Sequence, residues 1–405
     1  MTKATEPVKV LLGDQITLRI DKVANGGFCI GRHQGQAVFV RHSLPGELVT
    51  AEITEVNKRY LRADVVEVLE ASVHRVDPPC QYAGICGGCD WQHSNYEYQL
   101  DLKSAVVIEQ LAHLGQVEVV NQKPLSEFKV QTLTTAENGL RWRTRNRYFN
   151  IAGYSLGMRM ARSHSAVEIG DCLISTNGSV ELAKTGLHLG TPEIATAQSS
   201  TGQVVLVDQN GGPWLDELVE DRSWRIHAGS FWQVHKDAPG VFVQQVRIFA
   251  QLQESDRLLD LYAGAGLFAA CLAKDVGDTG EIVAVESSIN AVRDARRSCS
   301  DLGNLTLVTS DVEQWLTKNS QINSKQKFDV VVLDPPRTGA GQKVVEQISK
   351  ITNRTIIYVA CDPAALGRDT GYLKECGWEM SELVGFDAFP NTAHVECIAK
   401  FVPAN

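Results

Sequence analysis

Leu258-Leu259-Asp260-Leu261-Tyr262-Ala263-Gly264-Ala265-Gly266 reads as an apolar strand that runs into a glycine turn and then a helix. Glycines let backbone approach a ligand closely, and a helix N-terminus presents free amides. One such turn decides little by itself. About 20 residues later, Ile282-Val283-Ala284-Val285-Glu286 ends a second strand on an acid, placed to accept hydrogen bonds from ribose hydroxyls. Working outward, strand-like runs alternate with helical ones: Arg257–Tyr262, Glu281–Glu286, Thr306–Thr309, Asp329–Asp334, Thr355–Ala360 and His394–Phe401. This alternation predicts an α/β, Rossmann-like, doubly wound sheet over residues 229–405.

The turn departs from the dinucleotide fingerprint, because Asp260 precedes it and no third glycine follows at the usual offset. Asp-x-x-x-Gly-x-Gly followed by an acidic second strand resembles the S-adenosylmethionine site of class I methyltransferases. That resemblance implies cofactor contacts at Gly264, Gly266 and Glu286, with Asp311, after strand Thr306–Thr309, on the adenine edge.

Two further strand ends carry reactive groups. Leu-Asp-Pro-Pro-Arg (Leu333–Arg337) follows one strand, and Tyr-Val-Ala-Cys-Asp-Pro (Tyr358–Pro363) ends another on a cysteine. In an open parallel sheet ligands bind outside the carboxyl ends of the strands, so both segments face one cleft. Asp362 and Pro363 read as N-cap and first residue of a helix through about Glu375. A thiol beside a helix N-terminus is biased toward thiolate, while the Asp362 carboxylate opposes this. Methylating an oxygen or nitrogen needs no thiol. A pyrimidine C5 is too poor a nucleophile unaided. Thiolate addition at C6 enriches C5, and a base must later remove the C5 proton.

Asp334-Pro335-Pro336-Arg337, Tyr358–Pro363 and Phe389-Pro390-Asn391-Thr392-Ala393-His394-Val395-Glu396 together resemble the signature of RNA 5-methyluridine (uracil-C5) methyltransferases. The resemblance is to the iron–sulfur-containing type with an N-terminal TRAM domain, and it spans essentially the whole chain. It implies Cys361 as nucleophile and Glu396 as base. Gly229-Ser230-Phe231-Trp232-Gln233 resembles the family segment whose glutamine, here Gln233, contacts the cofactor. Tyr262, Glu286, Asp311 and Asp334 match further cofactor positions, whereas Leu267 stands where several relatives carry a polar residue. Two rivals remain in view. Exocyclic-amine methyltransferases carry an aromatic after the two prolines, where this chain has Arg337, and they need no Cys361. A catalytically silent RNA-binding or chaperone protein has no use for both Cys361 and Glu396.

Cys80, Cys86 and Cys89 form Cys-x5-Cys-x2-Cys, with Gly84, Gly87 and Gly88 permitting a tight wrap. Three thiolates leave a tetrahedral or cubane site one ligand short, and four would suit zinc or iron–sulfur equally. The resemblance supplies Cys172 as the fourth ligand and a 4Fe–4S cluster as the occupant. Cys29, Cys271, Cys299, Cys376 and Cys397 belong to no motif and are expected to be inert, packed thiols.

The remaining features bound the setting. A chain of 405 residues with 21% charged and 43% hydrophobic residues has the composition of an ordinary globular protein of two or three domains. Its N-terminus lacks the apolar core of a signal peptide, and no uncharged run approaches the roughly 18 apolar residues of a membrane span. The chain is read as cytoplasmic, without a membrane or an inferable protein partner, and monomeric. A net charge of −9 weighs against a nucleic-acid partner unless a local basic patch overrides it.

Residues 1–70 read as a small barrel, with strands at Gln15–Ile20, Gly35–Val40, Leu48–Val56 and Leu61–Leu69, and resemble the RNA-holding TRAM domain. Residues 71–228 form a central α+β, cluster-bearing domain that opens with a helix over Tyr96–Leu114. Within it Arg141, Arg143, Arg145 and Arg147 alternate along a strand-like run, Arg141–Asn150, which puts all four on one face for phosphates. Trp142 and Tyr148 take the other parity and offer aromatic faces for unpaired bases. By the resemblance, barrel plus cluster favours ribosomal over transfer RNA as partner, and the target uracil must be flipped out.

Overall fold

The computed structural model describes residues 10–133, 137–208, 211–319 and 327–404. The polar loop expected at Asn319–Lys327 lies largely outside them.

Strands Gln15–Val23, Cys29–His33, Gln36–Arg41, Leu48–Val56 and Tyr60–Glu70 close a barrel. Alternation along the first strand buries Ile16, Leu18 and Ile20 against Val38, Val40, Val49 and Ile53. The second strand, absent from the sequence reading, is crossed so closely that a Cβ on Gly31 would stand 2.4 Å from the Arg19 carbonyl. A glycine inside a strand here marks a close backbone approach.

The barrel leans on helix Tyr96–Leu114, whose N-cap Asn95 accepts from the Tyr98 amide at 2.8 Å. One face of this helix, Leu102 and Val106, completes the barrel core, and Val107 and Leu111 join the core of the C-terminal part of the chain. The helix is therefore apolar on two sides and buried between two bodies. Next comes a five-stranded antiparallel sheet built from Arg145–Ile151, Ser155–Arg159, Ala166–Glu168, Glu193–Gln198 and Val204–Val207. A hairpin, Trp214–Val219 with Arg222–His227, follows it.

The last sheet has eight strands. Leu305–Thr309, Glu281–Glu286, Arg257–Leu261, Phe328–Leu333 and Thr352–Ala360 run parallel in that spatial order. Glu396–Pro403 then pairs antiparallel, with Trp378–Asp387 beyond it. The order reverses between Arg257–Leu261 and Phe328–Leu333, the point at which such sheets open a crevice. The sheet also takes in chain from before residue 229, since Val130–Thr132 pairs parallel to Trp378–Asp387. Among the described residues no helix is long and apolar enough to cross a membrane.

Candidate active site

The sheet register brings the reactive residues together. Leu261 pairs with Leu333, so the Tyr262–Gly266 turn and Asp334 leave adjacent strand ends. Leu333 pairs with Tyr358, and Ala360 pairs antiparallel with Cys397. Cys361, one residue past the end of its strand, therefore stands beside Glu396, the first residue of the next. Both line a cavity of about 1220 Å³ together with Asp334 and Arg337. Gln233, Tyr262, Gly264, Glu286 and Asp311 line the same cavity. Gly266 does not; its φ of 81° makes it the left-handed N-cap of helix Leu267–Leu272, behind the turn.

On the cofactor side, the Gly264 amide donates to Glu286 Oε2 at 3.0 Å and the Ser288 amide to Glu286 Oε1 at 2.6 Å. These bonds hold the carboxylate at the end of its strand. Gln233 Nε2 donates to Asp334 Oδ2 at 3.3 Å, bridging two expected cofactor contacts. Asp311 caps helix Val312–Lys318, accepting from the Gln314 amide at 3.0 Å, so one of its oxygens is already committed. Tyr262 adopts a φ of 61°, a strained conformation for a non-glycine residue at the mouth of the turn. Asp260, the motif acid, is fully buried and accepts from the Ala269 amide at 2.9 Å. Burial first, then the charges of Asp334 and Glu286, push it up to about 8. It staples the strand to the following helix and does not reach the cavity.

Electrostatics at the reacting end decide a balance that the sequence left open between the helix N-terminus and Asp362. Burial, then the negative charges of Glu396 and Asp334, push the Cys361 thiol up to about 12, against the pull of Arg337. Glu396 is 3% exposed, and burial with the nearby Asp334 raises its carboxyl well above the ordinary range. Burial likewise raises Asp334, with the Gln233 hydrogen bond opposing. Burial and the surrounding carboxyls thus disfavour the charged forms of both Cys361 and Glu396 in the free protein. Asp362 caps the following helix, accepting from the Ala365 amide at 2.8 Å, and its charge adds a smaller upward push on the thiol. Two cavity residues were overlooked as individual candidates. His394, lowered to about 4 by burial and then Arg337, is a neutral imidazole, and its ring meets Phe389 edge to face at 5.7 Å. Both lie inside the Phe389–Glu396 motif, which was the available signal.

The four cysteine positions converge without forming a coordination shell. Among the described residues, no group of three or more His, Cys, Asp or Glu side chains is close enough to hold a metal ion. All four cysteines are half-buried. The loops nonetheless meet. Cys89 is raised by burial and then by Cys172, Cys86 and Cys80. Tyr82 Oη accepts from the Gly170 amide at 2.7 Å, fastening the first cysteine loop to the segment before Cys172. Amides already point at sulfur: Gly88 N–H to Cys86 Sγ at 3.4 Å and Gln92 Nε2 to Cys89 Sγ at 3.1 Å. The donor chemistry fits a four-thiolate group.

The arginine row is corrected. The strand starts at Arg145, and Arg141 lies outside it with a φ of 55°. Arg141 is bound to Asp171 at 2.5 Å, and the half-buried Arg145 is paired with Glu217 at 2.8 Å. Arg147 stays exposed, 3.5 Å from Glu193. Trp142 and Tyr148 are 1% and 0% exposed, so they are core side chains and not base platforms. A different cationic and aromatic surface joins the barrel to the central sheet. Arg162 lies 4.6 Å from the centre of the Phe28 ring, and Arg62 lies 5.2 Å from the same ring. Phe28 packs edge to face on Phe39, which packs on Tyr60. Arginines stacked on aromatic rings are the kind of surface that unpaired nucleotides bind.

The chain is similar to known proteins over nearly its whole length. The sequence pattern of the TRAM domain matches residues 9–66, and that of tRNA (Uracil-5-)-methyltransferase matches residues 218–401. A Streptomyces coelicolor protein named as an uncharacterized RNA methyltransferase is 38% identical, over 99% of this chain and 95% of its own length. One of the same description from Corynebacterium glutamicum is 33% identical, over 98% and 99% respectively. The crystal structure of Pyrococcus abyssi tRNA (uracil-54, C5)-methyltransferase in complex with S-adenosyl-L-homocysteine covers 95% of this chain and 99% of its own. It is 22% identical with a TM-score of 0.70, which establishes the shared fold.

Proposed function

The chain belongs to the RNA methyltransferase family, as an S-adenosylmethionine-dependent enzyme of the uracil-5 type, and on that premise we propose that it methylates C5 of a specific uridine through a covalent adduct between Cys361 and C6. The observation that carries this reading is the adjacency of Cys361 and Glu396 on paired strands, in one cavity with the glycine turn and Glu286. Gln233, Tyr262, Gly264, Glu286, Asp311 and Asp334 hold the methyl donor, with Gly266 shaping the turn from behind. The donor supplies an electrophilic methyl group and a positive charge.

The positive charge of a bound donor would oppose the burial that raises Asp334 and Glu396, drawing both carboxyls toward the ionised form. The Cys361 thiol loses its proton to solvent, its sulfur bonds to C6, and C5, enriched by that addition, takes the methyl group as the methyl–sulfonium bond breaks and the demethylated donor departs. The Glu396 carboxylate then accepts the C5 proton as the C6–sulfur bond breaks, returning Cys361. Arg337 lowers both Cys361 and Glu396, which suits a residue that favours their charged forms in the reaction.

Cys80, Cys86, Cys89 and Cys172 hold, in this proposal, a 4Fe–4S cluster with a structural role. It draws together loops that already meet and shapes the RNA surface. The barrel and the Phe28–Arg162 surface take RNA outside the cleft. Ribosomal RNA is the preferred substrate, on the combination of barrel and four cysteines. The second reading is transfer RNA, favoured by the description of the matching family and by the Pyrococcus likeness. We place the enzyme in the cytoplasm.

The test is methyl transfer from labelled S-adenosylmethionine to unmodified ribosomal and transfer RNA transcripts, followed by nucleoside analysis. Label in 5-methyluridine from ribosomal RNA is the expected result. Label in 5-methyluridine from transfer RNA alone selects the second reading, and label on an exocyclic amine overturns both.

A further inference from the structure

The loop that delivers Phe389, His394 and Glu396 to the cavity is held from outside the catalytic sheet. The amides of Asp90 and Trp91 both donate to the Asn391 carbonyl, at 3.0 and 3.2 Å. In return, Asp90 Oδ2 accepts from the Ala393 amide at 2.9 Å. Asn391 adopts a φ of 65° and exchanges two hydrogen bonds with the buried Gln99 side chain, at 3.0 and 3.1 Å. The barrel closes the far side. Gly27 passes so near that an added Cβ would stand 3.1 Å from both Ala393 Cβ and Asp90 Cγ. The Trp91 indole N–H donates to the Gly27 carbonyl at 3.3 Å. The segment making these bonds starts one residue after Cys89, whose sulfur accepts from Gln92.

We propose that Asp90 is a positioning residue for proton removal. Its carboxylate fixes the Ala393 amide and so sets the approach of His394 and Glu396 to the target carbon, coupling the cysteine-bearing loop to the second half of the reaction. Three observations make this more than general packing. The contact is reciprocal, backbone to backbone and side chain to backbone, and it falls on the residues between Phe389 and Glu396. Cys361 follows a different strand end, Thr352–Ala360, just before the helix capped by Asp362, and makes no hydrogen bond to Asp90. Glu396 opens the strand that directly follows this loop, so a shift in the loop acts on the base side of the cavity and not through the strand end that carries Cys361. The inference rests on the covalent reading proposed above.

The experiment compares Asp90→Ala with Asp90→Asn in the full-length protein. Asparagine keeps an acceptor oxygen for the Ala393 amide, and alanine removes it. With Asp90→Ala, adduct formation on 5-fluorouridine RNA and the KM for RNA stay near wild type. Turnover on ordinary RNA falls on the order of 10- to 100-fold, as expected for a base misplaced by up to about 1 Å. A methylated protein–RNA complex that denaturing gels retain then accumulates. Asp90→Asn restores turnover. Hydrogen exchange on the wild-type protein provides a measurement free of folding effects, with the Ala393 amide strongly protected. Unchanged turnover in Asp90→Ala, an equal loss of adduct formation and turnover, failure of Asp90→Asn to restore, or a freely exchanging Ala393 amide would each overturn the proposal. If the wild-type protein forms no adduct at all, the covalent reading falls and takes this inference with it.

Discussion

Replacing Lys103 with methionine perturbs the joint between the catalytic sheet and the rest of the molecule. Lys103 sits on helix Tyr96–Leu114, and its Nζ lies 2.5 Å from Asp387 Oδ1 and 3.1 Å from the Phe389 carbonyl. Both charged side chains are 0% exposed. Burial opposes the ammonium and Asp387 supports it, so the pair survives because each charge answers the other. Removing one partner strands a carboxylate in the interior, which costs about 3–5 kcal/mol, whereas replacing both with apolar groups of similar volume is close to neutral. For a body of this size such a loss lowers the melting temperature by on the order of 10 °C. The assay is urea and thermal unfolding of Lys103→Met, Asp387→Leu and the double variant, with enzyme at neutral pH and no ligand. The double variant should recover most of the loss. A single-variant loss under about 1 kcal/mol, or a double variant less stable than either single one, would refute the reasoning, because neither fits a buried, mutually compensating pair.

Three further outcomes follow from the same structure. Asp260, raised to about 8, is protonated in the folded state where the unfolded chain has ionised it. Its contribution therefore weakens as pH rises from about 4 toward 8, by up to about 1.4 kcal/mol per pH unit, and Asp260→Asn should remove that slope from a urea–pH series. An unchanged slope contradicts the assignment. Mass-resolved alkylation of Cys361 in the free protein should keep accelerating through pH 10, since the thiol is pushed up to about 12, and a plateau near pH 8 speaks against a neutral resting thiol. Arg162→Ala should weaken RNA binding regardless of the target sequence and reduce the salt slope by roughly one, if the guanidinium over Phe28 meets a phosphate. Binding and slope indistinguishable from wild type would remove that surface from the RNA path.

Legibility in the sequence followed the range of the interaction. The Leu258–Gly266 turn, strand Glu281–Glu286 and helix Pro363–Glu375 were readable because apolar periodicity, glycines and an Asp-Pro start are local signals. Strand Trp378–Asp387 was missed, since Glu379, Glu382 and Gly385 interrupt its pattern and its stability comes from pairing with Glu396–Pro403. The arginine row failed for a related reason. Parity along a strand says which way Arg145 points, but not that Glu217, distant in sequence, is waiting there. Phe28 and Arg162 meet only after barrel and central sheet have folded. At the site, the identities of Cys361 and Glu396 were legible from their motifs. Their protonation was not, because it depends on burial and on how closely the sheet register stacks Asp334, Cys361 and Glu396.

The central claim is that a sulfur on the strand end next to Glu396 bonds to the uracil ring. Incubating the protein with 5-fluorouridine-substituted RNA and S-adenosylmethionine, then digesting and weighing the peptides, tests it most directly, because fluorine cannot leave C5 as a proton does. The account predicts a methylated fluorouridine carried on the peptide containing Cys361, absent from Cys361→Ser. An unmodified Cys361 peptide alongside methylated RNA would contradict it.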